Sequence, residues 1–367
     1  MFDVIVAGVG GMGSAAVYHL ARRGSKVLGL ERFAIPNELG SSHGLSRIIR
    51  LAYWEDAKYI PLLRRSYALW RELEREANAQ LLLTTGSIDA GPEDSRSMRG
   101  VMQVCREFDL SCETMSAAAL ANRFPGYQLP ESVVAVYQPD GGILAPERCI
   151  VAHVERARAM DAEVHANEEI IDWDADGDSV RVRTTRDTYR ARHLVFTAGA
   201  WTGKLLRELA PVLSPERQVV LWTRPLEPAL FQPEVFPVFY IHVDEGSFYG
   251  FPDHEHAGFK IGKYHHRREQ VDPDAMNRSV SEDDEETLRI AVRRYFPRAD
   301  GPTLQMKTCL FTNTADEHFR IQRLAENVSV AAGFSGHGFK FCSVVGEILA
   351  DLSLEGETRH DISLFRL

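Results

Sequence analysis

The feature that most constrains this chain is a glycine pattern near its N-terminus. An apolar, strand-like run ends at Gly8, and Gly10 and Gly13 complete the spacing G-x-G-x-x-G before a helical pattern over residues 14–23. A strand that turns into a helix through these glycines predicts a Rossmann-type unit, in which backbone N–H groups approach a pyrophosphate at the positive end of the helix. The next apolar run ends at Glu31, whose carboxylate can accept hydrogen bonds from a ribose diol. The segment therefore predicts a dinucleotide site.

A second segment bears on which dinucleotide is bound, since the fingerprint alone does not separate NAD from FAD. A strand-like run over 193–197 leads into the small-residue turn TAGAW (197–201) and then into a helical pattern around 204–209, as expected where backbone passes close to a bound cofactor. On spacing alone, an ordinary strand-to-helix turn explains these residues equally well. No second nucleotide fingerprint occurs for a nicotinamide partner, so the sequence favours a flavin.

Size and charge narrow the class of protein. The 367 residues correspond to about two domains. With 42 Lys and Arg against 52 Asp and Glu, the formal net charge is −10, which disfavours nucleic acid and anionic membranes as partners. No run approaches the roughly 20 apolar residues of a membrane span, and the N-terminal apolar run lacks the basic start of a signal peptide. We therefore expect a cytoplasmic protein.

The cysteines are compatible with that setting. The five, at positions 105, 112, 149, 309 and 342, are an odd number, scattered and without C-x-x-C spacing. This pattern argues against a disulfide framework and against a zinc site. We expect a reducing environment and no bound metal.

Secondary-structure patterns divide the chain into alternating parts. A helical pattern covers 59–80, turn-rich sequence surrounds Pro125, Pro130 and Pro139, and residues 145–213 alternate between strand and helix patterns. Residues 216–266 instead hold short strand patterns with turns between them, which indicate an antiparallel sheet. An acidic run over 281–286 begins a further helix. We expect an α/β fold, α+β overall, with a discontinuous Rossmann-like nucleotide domain beside a sheet-rich antiparallel substrate domain. The predicted bounds are 1–80, 141–214 and 306–367 for the first domain and 81–140 and 215–305 for the second.

Four segments of the chain carry a family resemblance. They are GSSHGLSRIIRLAY (40–53), the pair FYGFP and FKIGK (248–263), KTCLFTNTADEHF (307–319) and AAGFSGHGFKF (331–341). Together they resemble the sarcosine oxidase family of flavoproteins, within the D-amino acid oxidase superfamily. The resemblance extends from the glycine fingerprint to the closing HDISLF. It implies a discontinuous FAD domain, a covalently bound FAD, a monomer, and oxidation of secondary amino acids by O2 to an imine and hydrogen peroxide.

The resemblance matches Cys309 to the cysteine that forms a thioether with the flavin 8α carbon. That chemistry needs a thiolate, so a nearby cation should favour deprotonation, and Lys307 is a local candidate. Judged from the residues alone, Cys309 would be an inert core cysteine.

Charged residues supply a second set of matches. Arg50 and Lys340 match the pair that binds the substrate carboxylate, a role that suits a bidentate guanidinium and a mobile ammonium. An ion pair between Arg50 and Glu55 is the competing interpretation. The family also has an acidic residue at this position, so Glu55 counts among the expected substrate contacts, and both interpretations hold if Glu55 moves on ligand entry. Lys260 matches the lysine near flavin N5, where a fixed charge would assist O2 reduction. From the residues alone, Lys260 is more typical of a solvated strand lysine.

The remaining matches surround the flavin. His43 and Arg47 match residues whose positive charge would stabilise the reduced ring, with hydrogen bonding inside their own loop as the alternative. Tyr249 matches an aromatic residue that lines the pocket. The cofactor contacts that the resemblance implies are Gly8, Gly10, Gly11, Met12, Gly13, Glu31, Arg32, Ser41, His43, Ser46, Arg47, Ile170, Gly199, Trp201, Cys309, Gly336, His337, Gly338 and Lys340.

Three departures from the family pattern concern the substrate pocket. The segment Tyr264-His265-His266, which follows FKIGK, is one residue longer than the corresponding segment of sarcosine oxidases. The assignment of His265 as the catalytic imidazole therefore stays open. Phe311 stands in place of a tyrosine, and Trp54 in place of a common glycine. We expect a pocket shaped for a side chain other than hydrogen. Sarcosine, other N-methyl amino acids, cyclic imino acids such as pipecolate, and N-glycated amino acids all fit.

Two other functions are compatible with these residues. A dehydrogenase of the same fold would pass electrons to another acceptor, and a catalytically silent FAD-binding subunit would pass none. The joint presence of Arg50, Lys260, Cys309 and Lys340 argues against the silent subunit, because such a protein needs no carboxylate clamp.

Overall fold

The computed structural model describes residues 1–366, apart from the side chain of Asp176; Leu367, the last residue of the predicted nucleotide domain, lies outside that description. Within this range the chain forms two eight-stranded sheets and one three-stranded sheet, with helices packed against them. The prediction of an α/β fold, α+β overall, is confirmed.

Helices and strands alternate along the chain. The helices are α1 Gly11–Arg22, α2 Tyr59–Ala77, α3 Arg96–Glu107, α4 Ala117–Arg123, α5 Pro146–Arg158, α6 Thr202–Leu205, α7 Glu282–Tyr295 and α8 Cys342–Leu354. The first strands are β1 Phe2–Ala7, β2 Val27–Leu30, β3 Arg47–Ile49, β4 Leu82–Thr84, β5 Ser87–Pro92, β6 Glu113–Ser116, β7 Val133–Gln138, β8 Gly142–Leu144 and β9 Glu163–His165. The later strands are β10 Ile170–Asp176, β11 Ser179–Thr184, β12 Thr188–Phe196, β13 Ser214–Thr223, β14 Val238–Val243, β15 Gly246–Phe251, β16 Phe259–Lys263, β17 Thr303–Asn313, β18 Arg320–Ala325 and β19 Val328–Ala332. No helix within residues 1–366 is both long enough and apolar enough to cross a membrane.

The first sheet has a parallel centre. Its order is β10-β11-β12-β1-β2-β9, with β19 beside β12 and β18 beside β19. Side chains of β1 alternate between two cores, as the two-residue period of a strand requires: Val4 and Val6 pack with α1 and α8, whereas Ile5 packs with β11 and β12 on the other face. Gly8 and Glu31 directly follow the parallel strands β1 and β2, at the edge where such sheets bind ligands.

The second sheet is antiparallel except at one pair. Its order is β17-β13-β16-β15-β14-β5-β7-β6, and only β14 and β5 run parallel among these pairs. One face packs against α7 through an apolar core that includes Ile88, Phe239, Phe259 and Leu288. The short strand patterns predicted over 216–266 correspond to β13, β14, β15 and β16, so the antiparallel prediction is confirmed.

Some local predictions differ from the structure. The turn-rich segment near residues 125–139 also contains the strand β7. Pairing with β5 and β6 stabilises this strand, and its own hydrophobic pattern does not indicate it. The helix expected around 204–209 is only the short α6 followed by a 3-10 turn, in which Pro211 lacks a backbone donor. The domain boundary expected at residue 306 falls inside β17.

The cysteine prediction needs a correction. Cys105, near the end of α3, forms a disulfide with Cys112, just before β6. An odd number of scattered cysteines did not indicate this pair, because the bond closes a short local turn and builds no framework. Cys149, Cys309 and Cys342 are free and buried.

Candidate active site

A glycine cradle lies at the carboxyl edge of the first sheet. A Cβ atom at Gly8 would lie 2.8 Å from the carbonyl oxygen of Thr197, and one at Gly13 would lie 1.8 Å from the carbonyl oxygen of Gly8. Packing therefore requires glycine at both positions. At Gly10, by contrast, a Cβ would meet no atom within 4 Å, so this residue borders open space. Gly10 caps α1 without a side-chain hydrogen bond, which leaves the first N–H groups of the helix without a side-chain partner, as anion binding requires.

Glu31 adjoins this cradle at the end of β2. Its side chain is buried, with Oε2 accepting from the Val9 N–H at 2.9 Å and Oε1 from the Phe33 N–H at 3.0 Å. Burial raises the pKa of the Glu31 carboxyl. The two backbone bonds orient the carboxylate and leave further lone pairs for a ribose diol. The cradle and Glu31 together fit the pyrophosphate and ribose of FAD.

One cavity extends from this cradle to β17 of the second sheet. The predicted residues along its wall are Gly8, Gly10, Gly11, Met12, Glu31, Arg32, Ser41, Arg47, Ile170, Gly199, Trp201, Phe311, Gly336 and Gly338. The predicted cofactor residues outside its wall are Gly13, His43, Ser46, Cys309, His337 and Lys340.

Sequence reasoning missed an ion-pair group on the wall of the cavity. Asp274 accepts from Lys204 Nζ at 2.5 Å, from Arg32 Nη1 at 2.6 Å and from Trp201 Nε1 at 2.7 Å. Three segments that are distant in sequence thus meet at one carboxylate. No motif around residue 274 signalled this, because the contact depends only on how the segments pack.

Lys260 lies buried on β16 and is only 2 % exposed. Its Nζ donates to the carbonyl oxygens of Gly44 at 2.7 Å and Ser46 at 3.1 Å, and to Ser46 Oγ at 3.0 Å. Burial, with the nearby Arg47 adding to the effect, lowers the pKa of Lys260 well below its usual value. The interpretation of Lys260 as a solvated strand lysine is therefore wrong.

Cys309 lies on β17, opposite Gln218 of β13, and its thiol is free and buried. Burial raises the pKa of Cys309, while Arg47 and Lys260 act against that rise. Lys307, expected to be the activating cation, is instead paired with Glu38. The cations that favour a thiolate at Cys309 thus come from two other elements.

Arg47 and His43, the two residues expected beside the flavin, differ in their hydrogen bonding. Arg47 donates to the carbonyl oxygens of Ser46 and Ser41, each at 2.8 Å, so its guanidinium is hydrogen-bonded inside its own loop. His43 is buried, and neither ring nitrogen has a hydrogen-bond partner in the part of the chain that the structure describes. Burial, followed by Arg47 and Lys260, lowers the pKa of His43 to about 3. His43 is therefore neutral, so the expectation that its positive charge stabilises the reduced ring is wrong; its buried ring nitrogens remain open to a hydrogen bond with a ligand.

Arg50 and Lys340 come together around one aromatic ring. The guanidinium carbon of Arg50 lies 5.1 Å from the ring centroid of Tyr53, and Lys340 Nζ lies 5.0 Å from the same centroid. Lys340 Nζ donates to the carbonyl oxygen of His337 at 2.7 Å. Burial and the neighbouring Arg50 lower the pKa of Lys340 to about 7. We refer to Arg50 and Lys340 as the cation pair.

Two carboxylates face Arg50, of which Glu55 is half-buried and Asp89 is buried. Glu55 Oε1 is 3.7 Å from Arg50 Nη2, and Asp89 Oδ1 is 3.3 Å from Arg50 Nη1. The Glu55 contact was expected as a competing interpretation of Arg50. The Asp89 contact was not, because Asp89 lies in a separate segment that only the second sheet brings to Arg50.

Tyr264, rather than His265, lies against Phe311. The two rings are 5.7 Å apart, and Tyr264 Oη donates to the carbonyl oxygen of Ser335 at 2.6 Å. His265 instead contacts Glu216 through Nδ1 at 3.1 Å and Glu317 through Nε2 at 2.9 Å. Burial opposes protonation, but these bonds outweigh it and raise the pKa of His265 to about 9. With both ring nitrogens engaged, His265 is not placed as a free catalytic imidazole.

Comparison with known proteins decides the family. A profile described as FAD dependent oxidoreductase (DAO) matches residues 3–352. The chain belongs to this family. Membership and the cradle agree on FAD as the cofactor of this FAD-dependent oxidoreductase.

Relatives in this family can be aligned over the whole chain. The monomeric sarcosine oxidase of Bacillus sp. (strain B-0618) is 41 % identical, with 100 % of this chain and 95 % of that protein covered. The N-methyl-L-tryptophan oxidase of Salmonella dublin is 33 % identical, with 100 % and 98 % covered. Among solved structures, the open form of NikD, described as an unusual amino acid oxidase essential for nikkomycin biosynthesis, has a TM-score of 0.87 at 27 % identity and covers 100 % of this chain and 97 % of that chain.

Proposed function

We propose that this FAD-dependent oxidoreductase oxidises secondary amino acids with O2. The carbon next to the amine nitrogen loses a hydride and the nitrogen loses its proton to give an imine, O2 takes up these two electrons and two protons to become hydrogen peroxide, and water then hydrolyses the imine. When bound, FAD would supply the two-electron acceptor between the amine and O2. The observation that carries the proposal is the buried cation pair, Arg50 and Lys340, close to one tyrosine ring.

Substrate binding is the task of the cation pair. A guanidinium and an ammonium converging on one region can bind both oxygens of a substrate carboxylate. Their burial excludes water and strengthens the attraction. Gly338 and Phe339 line the cavity and directly precede Lys340, so we expect a carboxylate held by Lys340 to lie beside the cofactor cavity.

The other catalytic roles fall to residues near β17. Lys260 supplies a fixed positive charge where O2 gains negative charge, at no cost of reorganisation because three acceptors already hold its ammonium. Arg47 and His43 contribute polar groups toward the cofactor, and Tyr249 and Phe311 line the pocket. A catalytic role for His265 would require it to leave Glu216 and Glu317.

Cys309 is proposed to bind FAD covalently through a thioether. Support comes from its place on β17 directly before Leu310, which lines the cavity, and from the cations Arg47 and Lys260 that favour its thiolate. In native protein precipitated with acid, the yellow colour should stay in the pellet, whereas Cys309→Ser should release FAD to the supernatant. Cys149→Ser, which removes another buried thiol, serves as the control and should retain the colour. Complete loss of flavin from the native protein would contradict the linkage.

A substrate panel tests the proposed function. Under anaerobic conditions, one or more N-methyl or cyclic amino acids should bleach the flavin absorbance, and admission of air should restore it with release of hydrogen peroxide. Arg50→Met and Lys340→Met should each weaken substrate binding by about 2 to 5 kcal/mol, the usual cost of truncating a buried charge partner. Absence of bleaching would favour the silent subunit, and bleaching without reoxidation by air would favour the dehydrogenase.

Assembly and location are part of the same proposal. We propose a monomer that acts in the cytoplasm on a small amino acid, with neither nucleic acid nor membrane as a partner. Similarity to the monomeric sarcosine oxidase of Bacillus sp. (strain B-0618) supports the monomeric state. Light scattering should return the mass of a single chain.

A further inference from the structure

Asp89 is a buried acid that the proposed reaction does not use. Its side chain on β5 is 3 % exposed, and Oδ1 lies 3.3 Å from Arg50 Nη1. Within residues 1–366 no donor makes a hydrogen bond to this buried oxygen. Burying a carboxylate costs free energy unless it is fully paired, so a strand position occupied by Asp89 calls for an explanation.

The register of the second sheet places Asp89 in one row with Tyr240 and with Tyr249, the aromatic residue expected to line the substrate pocket. Asp89 of β5 is paired with Tyr240 of β14, and Tyr240 is paired with Tyr249 of β15. Residues paired across neighbouring strands point to the same face, and strands are about 4.8 Å apart. Asp89 therefore lies about 10 Å from Tyr249 along one row of side chains. Tyr249 packs over Gly262, where a Cβ would lie 2.5 Å from its ring, and lies within electrostatic reach of Cys309.

Arg50 does not need Asp89 for its orientation. The guanidinium already donates to the carbonyl oxygen of Ala52 and faces Glu55 on its other side. It also lies against the rings of Tyr53 and Tyr240, at 5.1 and 5.9 Å from their centroids. A purely structural role for Asp89 would thus duplicate existing contacts.

The charge balance of this cluster indicates what Asp89 does. In their ionised forms, Arg50 and Lys340 contribute two positive charges, while Glu55 and Asp89 contribute two negative ones, so the sum is zero. A substrate carboxylate on the cation pair would add a third negative charge to two positive ones. Repulsion between buried like charges is strong where water is excluded. Binding is therefore favoured when the substrate brings its own additional positive charge.

We propose that Asp89 is a specificity-determining residue, and that it selects secondary amino acids whose side chain carries a further cationic group, an ammonium or a guanidinium. This inference rests on the proposed function. The alternative way to balance the charge, uptake of a proton on binding, is an outcome of the test below. Burial raises the pKa of Asp89 to about 6 despite Arg50, so the carboxyl is mostly ionised at pH 7.

Three substrates that differ in side-chain charge test the inference. Nα-methyl-L-lysine, its neutral analogue Nα-methyl-L-norleucine and the acidic Nα-methyl-L-glutamate are mixed anaerobically with holoenzyme at pH 7, and flavin bleaching gives the rate constant and Kd for each. We expect native protein to favour the lysine derivative over norleucine by about tenfold to a hundredfold in rate constant over Kd, the range of a buried charge pair. Asp89→Asn should reduce this preference to less than about threefold and improve binding of the neutral analogue.

A matched variant controls for loss of negative charge from the same sheet. Glu113 lies on β6, two strands from β5, in an exposed ion pair with Arg123. Glu113→Gln should therefore keep the native preference.

The inference is overturned if native protein bleaches equally well with the neutral analogue, if Asp89→Asn keeps the preference, or if norleucine binding is tight and accompanied by uptake of one proton. These results leave the proposed function intact. Failure of all three substrates and of sarcosine to bleach native protein would instead overturn the proposed function. If Asp89→Asn does not fold, the native panel still decides.

Discussion

Lys260 shows how one buried charge can serve only half of a reaction. Its ammonium is held by Gly44 and Ser46 and lies 4.6 Å from the ring centroid of Phe251. Lys260→Met keeps the side-chain length and removes the charge, so reoxidation of reduced flavin by O2 should slow by about 10² to 10³. Anaerobic reduction by substrate should change much less, because it depends on the cation pair. Stopped-flow measurement of both half-reactions checks this.

Lys263→Met is the matched control for Lys260→Met. Lys263 is a half-exposed lysine on the same strand, three residues away and therefore on the opposite face. Its replacement should leave both half-reactions near native rates. Equal slowing of reduction and reoxidation in Lys260→Met would indicate general damage to the site, and normal reoxidation would remove Lys260 from the oxygen site.

Titration of the cluster around Arg50 gives a prediction about pH. The pKa of Lys340 is lowered to about 7 by burial and Arg50, and burial raises that of Asp89 to about 6. Between pH 6 and 8, Lys340 therefore loses its positive charge while Asp89 completes its ionisation, and both changes disfavour an anion. Binding of a simple carboxylate inhibitor such as acetate should weaken over this interval, as measured by flavin absorbance titration. Affinity that is constant or rises with pH would contradict the assignment.

At the scale of elements, α7 is fixed to the second sheet by one buried carboxylate. Asp284 completes a capping box with Ser281, and accepts from Arg217 of β13 at 2.9 and 3.1 Å and from His266 at 2.9 Å. Burial opposes ionisation, but the bonds from Arg217 and His266 outweigh it and hold the pKa of Asp284 well below its usual value. The helix therefore depends on an ionised Asp284 for its position.

Asp284→Asn should lower the free energy of unfolding by about 3 kcal/mol, because it leaves Arg217 buried beside a neutral partner. Asp283→Asn, an exposed change in the same helical turn, should have little effect. Since the folded pKa of Asp284 is depressed, its contribution is present above the unfolded pKa and is lost as pH falls toward the folded one. Urea unfolding of both variants at neutral and acidic pH measures this. Equal stability of the two variants at neutral pH would show that the bonds to Asp284 do not hold α7.

At the scale of the whole molecule, the cofactor cavity connects the two large sheets. Its wall includes Gly8 and Glu31 at the edge of the first sheet and Leu310 and Phe311 of β17 in the second. A ligand in this cavity contacts both large sheets and stabilises them together, so removal of the flavin should lower the stability of the entire chain. Cys309→Ser freed of FAD should melt at a lower temperature than the same variant with FAD restored. The difference corresponds to about 4 kcal/mol when free FAD exceeds its Kd a thousandfold.

Calorimetry of Cys309→Ser with and without FAD provides the measurement. Added free FAD should not shift the transition of native holoenzyme, which serves as the control. A shift confined to one of two separate transitions would show that the cavity belongs energetically to a single sheet.

Much of the fold was predictable because its signals are local. The glycine fingerprint, the helix α2 and the acidic start of α7 are each recognisable within about 20 residues, where backbone geometry and side-chain period act directly. β7 and the truncated α6 were less predictable. The first is stabilised by its neighbouring strands, and the second is limited by Pro211 and its surroundings.

For the site, the sequence by itself determined the glycine cradle with Glu31 and, through family resemblance, the choice of Arg50, Lys260, Cys309 and Lys340. Only the tertiary structure decided that Lys260 is buried, that Arg47 rather than Lys307 acts on Cys309, and that Tyr264 rather than His265 lies against Phe311. It also brought Asp89 to Arg50. These contacts join residues far apart in sequence, and their distances depend on sheet register and on the packing of one sheet against the other, neither of which a local pattern contains.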